Sequence, residues 1–287
     1  MSNIRLVNYG TPAYGARQRL LGLSARAVGA VDETSAWNPR RLLQHGFAER
    51  CPYIPLHERG GGWWTWKPYV ILAELKSMND DDWLVYCDVG RSYPIKLLDR
   101  PLTPLLDWCA KHGQSALPGV HIPWFGPMRV WTKRDAFVLT GTDEERYHEA
   151  IPIQASFSCW RACKESRLFV EEWLDLCSDR RLVTDDPNTC GKENLSGFRE
   201  HRHDQSLLTL LCMQRGLRGL ALSEARPTYD EKNPTEVARV MGEPPVRSMA
   251  LFAVRSAART YTFAERVPRL WTGWRYRRAL AKGARPQ

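Results

Sequence analysis

No stretch of this 287-residue chain approaches the roughly 20 consecutive apolar residues that a membrane-crossing helix needs. The first ten residues, "MSNIRLVNYG", lack the basic start and apolar core of a secretory leader, so the sequence reads as a cytosolic protein. Eight cysteines are scattered along the chain without one CxxC pair, which argues against a zinc ribbon or a redox site. Cys159 and Cys163 stand four apart, a spacing that shares one face of a helix, and with no second pair near them they read as buried thiols. Internal repeats and low-complexity segments are missing as well. What remains is a chain with 43% hydrophobic residues, enough to build one large α/β domain or two small ones.

Net charge is also missing from most of the chain. Residues 1–245 carry 31 basic and 31 acidic side chains, so the whole formal charge of +9 sits in residues 246–287, where ten Lys or Arg face the single acid Glu265. A nucleic-acid binder would spread its basicity over the fold, whereas a neutral body with a basic end predicts a catalytic domain over 1–245 and an attachment segment over 246–287. In "RVPRLWTGWRYRRALAKGARPQ", Val267, Leu270, Trp271 and Trp274 recur at helical spacing, and Arg269, Arg275 and Arg278 are available to an anionic membrane surface. The competing reading has these aromatics packed back on the body with the arginines solvated.

The body alternates strand and helix signals, which predicts an α/β fold with a mostly parallel central sheet flanked by helices. "IRLVNYG" (4–10) is the first strand and "GARQRLLGLSARAVGA" (15–30) the first helix. Residues 31–62 read as loop and short helix. Pro68 suits the first turn of a helix that "YVILAELK" continues, and "WLVYC" (83–87) has the unbroken hydrophobicity of a strand buried on both faces. Residues 100–150 read as a loop-rich insertion, "IPIQASFSCW" as one strand, "RLFVEEWLDLC" as an amphipathic helix, 184–205 as a polar loop, and "SLLTLLCMQRG" as a buried helix ending at Gly216.

Three places could carry chemistry. Asp88 follows the buried strand and precedes Val89-Gly90, at the sheet edge where α/β proteins bind ligands; it could hold a metal-bound phosphate or a ribose, or simply cap a turn. Lys67 stands where the run Gly60-Gly61-Gly62 and its tryptophans enter a helix, a position that attracts phosphate, or it is a lysine whose stem covers Trp64 and Trp66. In "HRHDQS" (201–206), His201 and His203 alternate like metal ligands and Asp204 could act as a base, although aspartate before "QSLLTLL" also suits a helix cap. Asp185 and Asp186 fit a turn.

Taken together, "GGGWWTWKPYVILAEL", "DDDWLVYCDVG", "LFVEEWLDLC", "VTDDPN" and "HRHDQSLLTLL" resemble bacterial glycosyltransferase-like proteins of the GT-A type, associated with capsule and lipopolysaccharide synthesis, over roughly residues 3–215. The resemblance implies a Rossmann-like fold that moves a sugar from a nucleotide-sugar donor to a glycan or lipid-linked acceptor, at the inner face of the cytoplasmic membrane when the tail attaches. It implies donor contacts at Tyr9, Gly62, Lys67, Asp88, Gly90 and Gln205, catalytic roles for Asp88 and Asp204, and a Mn²⁺ or Mg²⁺ ion on Asp88 and His203. Glycine at position 90 departs from the Asp-x-Asp of that pattern and removes one carboxylate from the metal set. The alternatives are a metal-dependent hydrolase built on "HRHD", whose His-x-His-x-Asp-His pattern is incomplete here, and a non-catalytic protein that binds nucleic acid or membrane through its basic tail.

Overall fold

The computed structural model describes residues 2–89, 98, 102–221 and 224, so Gly90 and the basic segment 246–287 lie outside the described residues. Seven strands occur within them: β1 (Ile4–Tyr9), β2 (Glu33–Trp37), β3 (Trp83–Cys87), β4 (Ala116–Leu117), β5 (Val120–His121), β6 (Ile153–Gln154) and β7 (Phe157–Arg161). Five of them form the central sheet in the order β2-β1-β3-β7-β4, while β5 and β6 pair separately. The sheet is mixed, where the sequence predicts a mostly parallel one. β1 pairs in parallel with β2 and β3, but β7 runs antiparallel to both β3 and β4. An apolar run marks a buried strand without marking its direction, which is why β7 escaped that reading.

The unbroken apolar run of β3 has a simple cause. Leu84 and Tyr86 enter one core, with Val7, Trp160 and the helix Trp66–Lys76, and Val85 and Cys87 enter the other, with Leu6, Cys159 and the helix Gly15–Ala27. A strand covered on both faces has no polar side to alternate with. The first core also takes Val170, Trp173 and Leu174 from the helix Lys164–Ser178 and Leu207, Leu208 and Leu211 from the helix His203–Arg215. The second takes Leu105, Trp108 and Cys109 from the helix Thr103–Lys111. Helices therefore cover both faces of the sheet, and no helix among the described residues is long and apolar enough to cross a membrane.

Three local expectations change. Residues 31–62 contain β2, an outer strand in which Trp37 alone is buried, so its sequence "ETSAW" carries no apolar signature. "IPIQASFSCW" is two strands in two sheets, broken at Ala155-Ser156. The 100–150 region holds a nine-residue helix and β4, the edge strand of the main sheet, and so belongs to the fold rather than to an insertion. None of the eight cysteines forms a disulfide, and Cys159 lies in β7 while Cys163 precedes the next helix, so the two share no helical face.

Because β1 and β3 are parallel, both end at one edge of the sheet, and β7 starts at that same edge, where the Asp88 N–H donates to the Ser156 carbonyl at 2.9 Å. The helix Trp66–Lys76 runs back toward the start of β3. Its Glu74 therefore meets Arg5 at the start of β1, and its first turn is left at the edge where Asp88 stands.

Candidate active site at the sheet edge

The opening of this helix is set by a turn of the wrong hand. Gly60, Gly61, Gly62, Trp63 and Trp64 all have positive φ, at 64°, 70°, 89°, 49° and 59°. Left-handed backbone costs an L-residue roughly 1–2 kcal/mol and glycine nothing comparable, which accounts for three glycines in a row. A Cβ on Gly60 would lie 2.5 Å from the Trp64 ring, and one on Gly62 would lie 2.8 Å from Ile54 Cγ2. The turn returns Trp66, whose indole N–H donates to the Gly60 carbonyl at 2.9 Å and whose ring stacks on Tyr9 with centroids 4.1 Å apart. Trp64 stacks on His203 at 5.5 Å.

This geometry delivers Lys67 to the interior, where 3% of it is exposed. Its ammonium lies 2.7 Å from Asp204 Oδ2 and 3.9 Å from Asp88 Oδ1, so side chains from three distant segments share one point. Burial works to lower the Lys67 pKa, but Asp204 and Asp88 outweigh it and hold the group above its usual value, fully protonated. Burial and the like charge of Asp88 push the Asp204 carboxyl up to about 6 against the opposing pull of Lys67. Tyr86, fully buried, donates its hydroxyl to Asp88 Oδ1; burial and the Asp88 charge keep that phenol protonated far above its ordinary range. Tyr86 escaped the sequence reading although its signal was present: it stands two residues before Asp88, and residues two apart in extended chain share a face.

Asp204 is not a helix cap. It is the second residue of the helix His203–Arg215, its side chain goes to Lys67, and its carbonyl accepts the Trp173 indole N–H at 2.9 Å. Gln205 uses Oε1 to accept the Ala155 N–H at 3.3 Å, which ties this helix to the link between β6 and β7. The two histidines divide. His201 has Nε2 2.7 Å from the Leu182 carbonyl, and its Nδ1 accepts the Lys133 N–H at 3.3 Å, so both ring nitrogens hold backbone. His203 donates Nδ1–H to the Val183 carbonyl at 2.7 Å, while Nε2 has no hydrogen bond and faces Asp185 Oδ1 at 3.7 Å. Burial lowers the pKa of both, so both rings are neutral near pH 7.

The expected set thus separates into parts. Lys67, Asp88 and Asp204 converge. Tyr9 is 6% exposed and packs on Trp66, with burial raising its phenol pKa to about 12; Gly62 serves the left-handed turn. Gly90 lies outside the described residues. Among the described residues no three His, Cys, Asp or Glu side chains gather as a metal-binding group. Asp88 has Oδ1 engaged by Tyr86, and His203 has Nδ1 engaged by Val183, which leaves Asp88 Oδ2 and His203 Nε2 without hydrogen bonds to described residues. A cavity of about 730 Å³ lies elsewhere, between β7 and the helix Lys164–Ser178, lined by Trp160, Phe169 and Arg215, and shares no residue with this edge. No family model and no curated protein matches the chain.

Proposed function

We propose that this edge is the donor site of a glycosyltransferase, which moves a sugar from a nucleotide diphosphate to a hydroxyl of a glycan or lipid-linked acceptor in bacterial surface polysaccharide synthesis. The observation that carries the reading is the convergence of Lys67, Asp88 and Asp204 at the end of a buried strand, with a carboxyl whose pKa is about 6 among them. Two carboxylates around one ammonium leave the cluster at −1 when both are ionised. A diphosphate therefore needs a further cation here, and a Mn²⁺ or Mg²⁺ ion held by Asp88 Oδ2 and His203 Nε2 would neutralise it. Asp88 orients the diphosphate, fixed in turn by the Tyr86 hydroxyl. Asp204 stands beside the sugar, where it can pass between carboxylate and acid near neutral pH. As the anomeric carbon bonds to the acceptor oxygen, the hydroxyl proton passes to the Asp204 carboxylate, the bond to the diphosphate breaks and its electron pair leaves on phosphate. Residues 246–287 would hold the enzyme on the anionic inner face of the cytoplasmic membrane, where a lipid-linked acceptor resides.

A panel of nucleotide sugars tests the reading, with thermal stabilisation and released nucleoside diphosphate as readouts. At least one donor should stabilise the wild-type protein and be turned over in the presence of Mn²⁺, and Asp88→Asn should lose that turnover while remaining folded. A panel without one stabilising donor, or an Asp88→Asn variant of unchanged activity, removes the assignment.

A further inference from the structure

Besides His203 Nε2, and Asp204 Oδ2 whose neighbour is the Lys67 ammonium, two more polar atoms of this region are buried without a hydrogen-bond partner among the described residues: Gln154 Oε1 and Ser156 Oγ. A polar atom buried unpaired is destabilising, and native proteins keep few of them without a use. Gln154 ends β6 and Ser156 stands in the link to β7, and that link is pinned to the site on two sides. The Ser156 carbonyl accepts the Asp88 N–H at 2.9 Å, and the Ala155 N–H donates at 3.3 Å to Gln205, the residue after Asp204. The Ala155 N–H and the Ser156 carbonyl are therefore paired toward this edge, while the side-chain oxygens of Gln154 and Ser156 are not.

We propose that Gln154 and Ser156 read the hydroxyl groups of the sugar being transferred, with Ser156 as the residue that discriminates between sugars. The chemistry selects the ligand. A carboxamide oxygen only accepts, so Gln154 Oε1 needs a donor, which a fully ionised phosphate lacks; the Ser156 hydroxyl both donates and accepts. Neighbouring sugar hydroxyls, each a donor and an acceptor, satisfy both atoms at once. A site built to pair a hydroxyl rejects an analogue lacking it far more strongly than an apolar pocket rejects an extra methylene.

The assignment deepens the glycosyl-transfer reading and rests on it, and the test separates the two. Ser156→Ala deletes an atom with no partner, so without ligand the variant should melt at or above the wild-type temperature. It should bind UDP and GDP as the wild type does, bind the best nucleotide sugar about tenfold or more weakly, and lose that difference with one deoxy analogue of the same sugar. A fall in melting temperature makes the hydroxyl structural and overturns the proposal; so does equal weakening of nucleoside diphosphate and nucleotide sugar, or no weakening of either. If no nucleotide sugar binds the wild type, the transfer reading fails, and saturation-transfer NMR with free monosaccharides decides Ser156. A monosaccharide signal present in the wild type and absent from Ser156→Ala supports the proposal. No monosaccharide signal in the wild type, or an equal signal in both proteins, ends it.

Discussion

The helix Trp66–Lys76 buries a charged side chain at each end, and the two ends are solved differently. Glu74 is 4% exposed and every partner it has pulls the same way: Arg5 at 3.0 Å, Arg41 at 3.1 Å, the Trp37 indole N–H at 2.6 Å and the Ser35 hydroxyl at 2.5 Å. Lys67, two turns earlier and equally buried, has one carboxylate too many around it, and one of them is pushed up to about 6. A saturated network of charges fixes a fold, since both oxygens are engaged and a ligand has nothing to add. An unbalanced one is unfinished without a ligand or a proton. The difference separates the end that holds the helix from the end left open to a ligand or a proton.

The largest effect expected follows from breaking the unbalanced end. Asp88→Asn should lower turnover of the donor by about 100-fold or more, a loss on the scale of one removed electrostatic contact to developing charge. Its unfolding midpoint in urea should change little, because the amide keeps the shape and Asp88 is already part-exposed. The matching change at the other end should do the reverse. Glu74→Ala leaves the buried Trp37 indole N–H unpaired and two guanidinium groups short of their carboxylate, which should cost about 2–3 kcal/mol in urea unfolding after allowance for the water that reaches Arg5 and Arg41. Donor affinity of the folded fraction should stay within a factor of about two to three. If Glu74→Ala abolishes binding while remaining folded, the contrast between the ends is false.

Titration sharpens the contrast further. Asp204 has a folded pKa of about 6 against an ordinary 3.8, so the folded protein holds that proton more tightly than the unfolded chain does. Its contribution to stability is fully present below about pH 4 and is lost as pH rises through 6. Relative to Asp204→Asn, the wild type should therefore lose on the order of 2 kcal/mol between pH 4 and pH 7. A ¹³C NMR titration of the carboxyl should give the midpoint directly. Lys67→Met should move it up and Asp88→Asn should move it down, since one change removes an attracting cation and the other a repelling anion. An Asp204 midpoint near 4 would make the two ends equivalent and undo the argument.

How much of this was legible in the residues depends on the range of the interaction. β3 and Asp88 stood out because burial on both faces erases polar alternation in "WLVYC". The helix Lys164–Ser178 stood out because Val170, Trp173, Leu174 and Cys177 fall on one face. β2 did not, since an outer strand with one buried residue obeys pairing to β1 rather than a hydrophobic pattern of its own. The glycine run pointed to a special backbone, but not to its left hand, and not to two tryptophans sharing the conformation. The ion pair of Lys67 with Asp204 was beyond local reading altogether: periodicity places each on a helix start, and only the packing of two helices on one sheet face decides that they meet.

That left-handed turn supplies the smallest and most local test. The Glu74 end is positioned by hydrogen bonds, whereas the Lys67 end is positioned by a backbone that glycine alone adopts cheaply, so a methyl group should damage the second without touching the first. Gly61 is the position where this can be measured cleanly. A Cβ there meets the Trp66 indole nitrogen at 3.4 Å, an ordinary contact, and only the φ of 70° is costly; at Gly60 the same Cβ would strike the Trp64 ring at 2.5 Å. Gly61→Ala should thus cost about 1 kcal/mol in urea unfolding, the price of one left-handed alanine, and Gly60→Ala distinctly more. If Lys67 depends on the turn for its place between the carboxylates, Gly60→Ala should also shift the Asp204 midpoint, while Gly61→Ala leaves it near 6. Equal costs at the two positions, or an Asp204 midpoint indifferent to both, would mean that Lys67 is held by its own helix and that the left-handed turn serves something else.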